Sequence, residues 1–228
     1  MRYGRTVTGT FISRPNRFIA MVEVDGVVER CHVKNTGRCR EILVPGARVV
    51  LSISDNPDRK TRCDLVAAYK GDMLVNIDSQ APNAAFGEYI RTSGIFGPDP
   101  VVHPEHTHGD SRFDFYVESG ERRILVEVKG VTLEFDGVCM FPDAPTERGL
   151  KHLRGLRRCL DEGYEAYVVL IVQMKGMRVF EPNYATHREF GEVLEEVVDA
   201  GVRLVVLDCV VGEDSMDVDS RIPYRFHS

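Results

Sequence analysis

Ile124-Leu125-Val126-Glu127-Val128-Lys129, reached from Phe113-Asp114-Phe115-Tyr116-Val117 across a Ser119-Gly120 turn, decides how the second half of this 228-residue chain folds. Both runs are apolar enough for strands, and the glycine between them suits a hairpin. Side chains alternate along a strand, so Glu127 and Lys129 share one face while Val126 and Val128 point into a core. Pairing of the two runs lets Asp114 reach the face of Glu127. Two carboxylates and an ammonium at one spot suit cation and phosphate chemistry: the acids hold a divalent cation, and the lysine orients or activates a water. A Glu-x-Lys on the wet side of a half-buried strand is also commonplace. Here, however, the charges interrupt strongly apolar runs, where an unpaired charge is costly.

Composition narrows the class. Hydrophobic content of 43% with 28% charged residues describes a soluble globular chain, long enough for one large domain or two small ones. No apolar run approaches the roughly 20 residues needed to span a bilayer, and Met1-Arg2-Tyr3-Gly4 lacks a signal-peptide core, so a cytoplasmic protein is expected. The six cysteines form no C-x-x-C pair and read as reduced, buried small hydrophobes. The net charge of −6 hides an asymmetry. Residues 1–62 hold twelve Lys/Arg against six Asp/Glu, and the remaining 166 residues hold 17 against 29. A basic front on an acidic body suggests that the N-terminal part meets a polyanion, with a solvated basic surface as the plain alternative.

Residues 1–80 read almost wholly as short strands: 6–12, 17–24, 27–33, 47–53, 64–70 and 73–77, punctuated by Asp25-Gly26, Pro45-Gly46 and Gly71-Asp72 turns. So many strands in so short a span favour a small OB-like barrel, a fold that binds nucleic acid on a strand face. Arg14, Arg17, Arg38, Arg40 and Arg48 could supply that surface, while Phe11 and Phe18 read as core or as stacking platforms. Residues 81–228 alternate differently. A helix is expected over 82–91 with proline in its first turn, then a Gly/Pro/His-rich loop over 94–110, then the two site strands. Helices follow over 146–163 and 187–200, with apolar strands at 166–172 and 203–207 and an acidic, loosely ordered tail from 213 to 222. Strands alternating with helices imply an α/β sheet.

Leu150, Leu153, Leu156 and Leu160 make a core stripe on the helix over 146–163. At about 100° per residue, Arg148, Lys151, His152 and Arg158 fall opposite it. Such a basic face suits a phosphate backbone or is simply solvated. Asp143 or Thr146 can cap this helix.

The residues around these elements resemble the sugar fermentation stimulation protein family. The matching strings are Val126-Glu127-Val128-Lys129-Gly130-Val131-Thr132-Leu133 and Phe141-Pro142-Asp143-Ala144-Pro145-Thr146-Glu147-Arg148-Gly149-Leu150-Lys151-His152-Leu153. Asn35-Thr36-Gly37, Ser111-Arg112-Phe113-Asp114-Phe115 and the helix with Asn83 and Glu88 match as well, so the resemblance runs from near residue 10 to near residue 207. It implies an N-terminal OB-like barrel (residues 1–80) and a C-terminal PD-(D/E)xK nuclease-like mixed sheet flanked by helices (81–228), with DNA binding as the attributed activity. On that pattern Asp114 takes the first acid position, Glu127 the second and Lys129 the lysine, and Glu88 matches the acid of the first helix. The Val128 carbonyl is a further candidate ligand for Mg²⁺ or Mn²⁺. Phe113 stands where the pattern often has proline.

The resulting expectation is a DNA-binding protein with a Mg²⁺-dependent phosphodiester-hydrolysing site: Asp114, Glu127 and Val128 on the metal, Lys129 and Glu88 in support. Arg14, Arg17, Arg38, Arg40, Arg148, Lys151 and His152 are expected on nucleic acid. One rival is a non-catalytic DNA-binding regulator on a nuclease-like scaffold. Another is an enzyme acting on a phosphorylated small molecule, which would need no second, basic grip. The residues leave the oligomeric state open, a homodimer included.

Overall fold

The computed structural model describes residues 1–35 and 37–227. Thr36, in the Asn35-Thr36-Gly37 string, lies outside the described residues. The first half is a barrel of β1 (Thr6–Asn16), β2 (Ile19–Val24), β3 (Val27–Val33), β4 (Arg48–Ile53) and β5 (Cys63–Lys70), with β6 (Met73–Asn76) added outside β5. Antiparallel pairing runs β3-β2-β1-β4-β5, and a short parallel ladder, His32 to Asp64 and Val33 to Leu65, joins β3 to β5 and closes it. Alternation puts Phe11, Ala20, Val22, Cys31, Val49, Leu51 and Leu65 inside. Phe11 is thus core, while Phe18 stays exposed.

The second half begins with α1 (Ala81–Ser93), which carries proline in its first turn and ends at Gly94 in the left-handed region. After it come β7 (Val101–His108), β8 (Ser111–Ser119), β9 (Arg122–Val131), β10 (Leu133–Phe135), β11 (Val138–Phe141), α2 (Glu147–Asp161), β12 (Glu165–Val172), β13 (Val179–Pro182), α3 (Tyr184–Asp199), β14 (Arg203–Val211) and β15 (Met216–Arg221). The main sheet runs β15-β14-β12-β9-β8-β7, with β9, β12 and β14 parallel and the outer strands antiparallel. A small sheet, β10-β11-β13, flanks it. Strand β9 is buried on both faces: Val126 and Val128 pack with Phe86 and Ile90 of α1, and Leu125 packs with Leu150, Leu153 and Leu156 of α2. All six cysteines are free and buried. Among the described residues no helix is long and apolar enough to cross a membrane.

Two expectations change here. The segment expected as a loop over 94–110 contains β7, and the tail expected to be loose contains β15. Both are edge strands, bonded to the sheet on one side only, so their polar residues leave no burial pattern in the sequence.

A buried polar junction joins the halves. The Gln173 side-chain amide donates to Asn76 O (3.0 Å), Asn76 Oδ1 (3.0 Å) and Asp78 O (3.1 Å). Asp78, itself buried, accepts from Lys34 Nζ at 2.8 Å.

Candidate active site

Strands β8 and β9 pair from Ser119–Arg122 to Phe115–Val126, and the regular ladder stops short of Asp114. Beyond that point the Val128 amide donates to Asp114 Oδ2 at 2.7 Å. The other carboxylate oxygen, Oδ1, accepts from Asn83 Nδ2 of α1 at 2.7 Å. Glu127 is 2% exposed and turns to the α2 side. Its Oε1 is held by Lys129 Nζ from the same strand face and by His152 Nδ1 from α2. Its Oε2 is buried and meets no hydrogen-bond donor among the described residues. Lys129 keeps partial access to solvent.

The two carboxyls are driven apart electrostatically. Burial, then the charge of Glu127, pushes Asp114 up, and the Val128 and Asn83 hydrogen bonds and Lys129 offset only part of this. Burial alone would raise Glu127 too, but His152 and Lys129 outweigh it and hold that carboxyl below its ordinary range. Carboxylate pairs with divided affinities for protons are a feature of working acid–base and metal sites. A bare anionic oxygen in the interior is costly unless something cationic meets it. The available donors are hard oxygens, the kind that divalent Mg²⁺, Mn²⁺ or Ca²⁺ prefers. Among the described residues no group of three or more His, Cys, Asp or Glu converges for a metal.

Several expected site residues sit elsewhere. Glu88 is not at the cluster: it pairs with the Met1 amino group at 2.8 Å, and α1 instead reaches Asp114 through Asn83, more than a turn earlier. His152 is not on an exposed basic face; it is 5% exposed against Glu127. The reason is that the buried stripe of α2 is wider than its leucines. Gly149 and Gly155 let the helix lie close to its neighbours, a Cβ at 155 meeting Ser111 Oγ at 2.9 Å, and His152 stands between them. Arg148 and Lys151 are exposed as expected, with Lys151 3.7 Å from Asp110. Thr146 caps α2, accepting from the Gly149 amide at 3.0 Å.

On the barrel, Arg14, Arg17, Arg38 and Arg40 line one hollow. Arg14 differs from the others, because its guanidinium donates to the carbonyls of Arg17, Asn35, Gly37 and Arg38 at 2.6–2.9 Å and so ties the loop together. Arg48 does not join them; it stacks on Tyr69 at 3.6 Å in a different groove.

The domain described as the sugar fermentation stimulation protein RE domain matches residues 80–215, and the SfsA N-terminal OB domain matches residues 12–77. The chain belongs to the sugar fermentation stimulation protein family. It is 51% identical over 218 residues to the family homolog of Clostridium beijerinckii, covering 96% of each chain. To that of Desulfitobacterium hafniense it is 54% identical over 217 residues, covering 95% of each. Among solved structures it superposes on Pyrococcus furiosus SfsA in complex with Ca²⁺ with a TM-score of 0.89 and 25% identity, over 99% of this chain and 98% of that one. An OB domain joined to a nuclease-like domain is a combination that fits a DNA-binding protein.

Proposed function

We propose that this protein is a divalent-metal-dependent nuclease that holds DNA on its barrel and hydrolyses a phosphodiester at the β8–β9 cluster. The observation that carries the reading is the bare, buried Oε2 of Glu127 in a cluster with Asp114 and Lys129. Asp114 and Glu127, with the Val128 carbonyl, would hold Mg²⁺ or Mn²⁺. A cation so bound stabilises charge developing on a phosphoryl oxygen. Two protein carboxylates suffice for Mg²⁺, which keeps several waters and takes further oxygens from substrate phosphates. Lys129, partly solvent-accessible beside Glu127, would position the attacking water or neutralise charge on the phosphate. Asn83 and His152 would keep the two acids oriented. Arg17, Arg38 and Arg40, with Arg148 and Lys151, would grip the backbone.

Wild-type protein should nick DNA with Mg²⁺ or Mn²⁺ but not with EDTA. Glu127→Ala and Lys129→Ala should lose that cleavage while binding DNA within about twofold of wild type, since neither side chain lies along the grip. Absence of metal-dependent cleavage of single- or double-stranded DNA or RNA transfers the assignment to a non-catalytic DNA-binding regulator. That second reading draws on the occupation of Glu127 Oε1 by both Lys129 and His152.

A further inference from the structure

A cavity of about 180 Å³ opens where the barrel meets the nuclease-like sheet. Gly130, next in the chain after Lys129, is part of its wall, together with Ser79, Thr132, Phe141, Asp143 and Gln173. Gln173 is 2% exposed, and its amide nitrogen is fully engaged at the junction. Its Oε1 accepts nothing from the described residues and lies so close over Gly130 that a Cβ there would collide with it. Ser79 gives its hydroxyl proton to Lys34 O at 2.7 Å and can only accept from the cavity. The Asp143 carboxylate is exposed and meets no cation among the described residues. Three of the free side-chain groups are therefore acceptors, one of them anionic, while Thr132 adds a hydroxyl that can turn either way.

This lining repels phosphate and attracts N–H donors. The volume is below the roughly 300–1,000 Å³ of sites for drug-sized ligands, so one small group fits and a duplex does not. Position supplies the rest. Gly130 follows Lys129 in β9 but faces Pro82 of α1 and Gln173, and the cavity shares Gly37 with the hollow of about 340 Å³ lined by Arg17, Arg38 and Arg40. A strand held by those arginines would have the cavity beside it, across Gly37.

We propose that the cavity takes one unpaired nucleobase of that strand and favours bases that present an amino group. The inference rests on the nucleic-acid reading above. Cytosine, adenine and guanine each carry an amino donor, whereas thymine offers the O4 acceptor in its place. An unpaired base is also the cheapest to extrude.

The test uses the full-length protein with single-stranded oligonucleotides, in Ca²⁺ and in EDTA. One oligonucleotide carries a single 2-aminopurine; the others are oligo-dC and oligo-dT. Emission of 2-aminopurine should rise several-fold as the base leaves its neighbours for the cavity. Oligo-dC should bind at least about fivefold tighter than oligo-dT, one good hydrogen-bond pair's discrimination. Asp143→Asn and Thr132→Val, both nearly isosteric, should shrink that ratio below about twofold and leave the salt dependence unchanged. Equal affinities for the two oligonucleotides, or saturation without an emission change, overturn the cavity's role and leave the nucleic-acid reading standing. Failure of every oligonucleotide to bind in either condition overturns both.

Discussion

Asp114→Asn should make the metal-free protein more stable and remove its stabilisation by a divalent cation. Burial, then the charge of Glu127, raises the Asp114 carboxyl above its ordinary range, so the fold holds this group more readily as the acid than as the ion. Asparagine keeps an acceptor for the Val128 amide, and Asn83, now donating to Asp114 at 2.7 Å, can turn its amide over to accept instead. Relief of the like-charge repulsion therefore comes without the sacrifice of a hydrogen bond. Gains of this kind amount to about 0.5–2 kcal/mol, and for a chain of this length each kcal/mol moves Tm by roughly 2–4 °C. A carboxyl raised in the folded state contributes stability below its unfolded pKa and loses it as pH climbs through the folded one. The advantage of the Asp114→Asn variant over wild type should thus be largest at the highest pH, shrink as pH falls through the folded-state value, and vanish well below about pH 4, where the aspartate is protonated in both states. Thermal melts in EDTA across that range measure it. Repeating them with Ca²⁺ about a hundredfold above its dissociation constant should stabilise wild type by about 2.7 kcal/mol, and the variant far less. A variant that is less stable than wild type in EDTA at neutral pH, or that gains as much from Ca²⁺, refutes Asp114 as a repelled cation ligand.

Replacing Arg17, Arg38 or Arg40 with Gln should weaken DNA binding alike for all sequences and lower the slope of log K against log salt by about 0.7–0.9 for each phosphate no longer neutralised; unchanged slopes in titrations would remove the barrel from the grip. Arg14→Gln should instead cost about 2–4 kcal/mol of stability in urea unfolding, because four carbonyls are deprived of a charged donor. Gln173→Leu should speed hydrogen exchange at the Asn76 and Asp78 amides, since it cuts three bonds between the halves. Unaltered exchange there would mean that packing alone fixes the barrel on the sheet.

Strands of the barrel and the inner strands of the sheet were legible in the chain, because burial on one or both faces of a pleated ribbon leaves an alternating or continuous apolar record. The same holds for Glu127 and Lys129, whose spacing of two puts them on one face whatever surrounds them. The order of residues therefore carries local matters: which segments extend, which coil, and which charges interrupt apolar runs.

The partners of those charges were chosen by packing between elements. His152 reads as part of a polar face until Gly149 and Gly155 bring α2 close enough to bury it against Glu127. Asn83 and Glu88 share one helix, but only its packing angle directs Asn83 to Asp114 and leaves Glu88 to the amino terminus. The edge strands β7 and β15 were silent because each is paired in the sheet on one side only and carries mostly polar residues. The acceptor-lined cavity needs Gln173, Asp143 and Ser79 from three distant segments. Periodicity reports burial along one element, whereas a hydrogen bond or a cavity wall depends on distances between elements, and side-chain volume sets those distances only after the chain has packed.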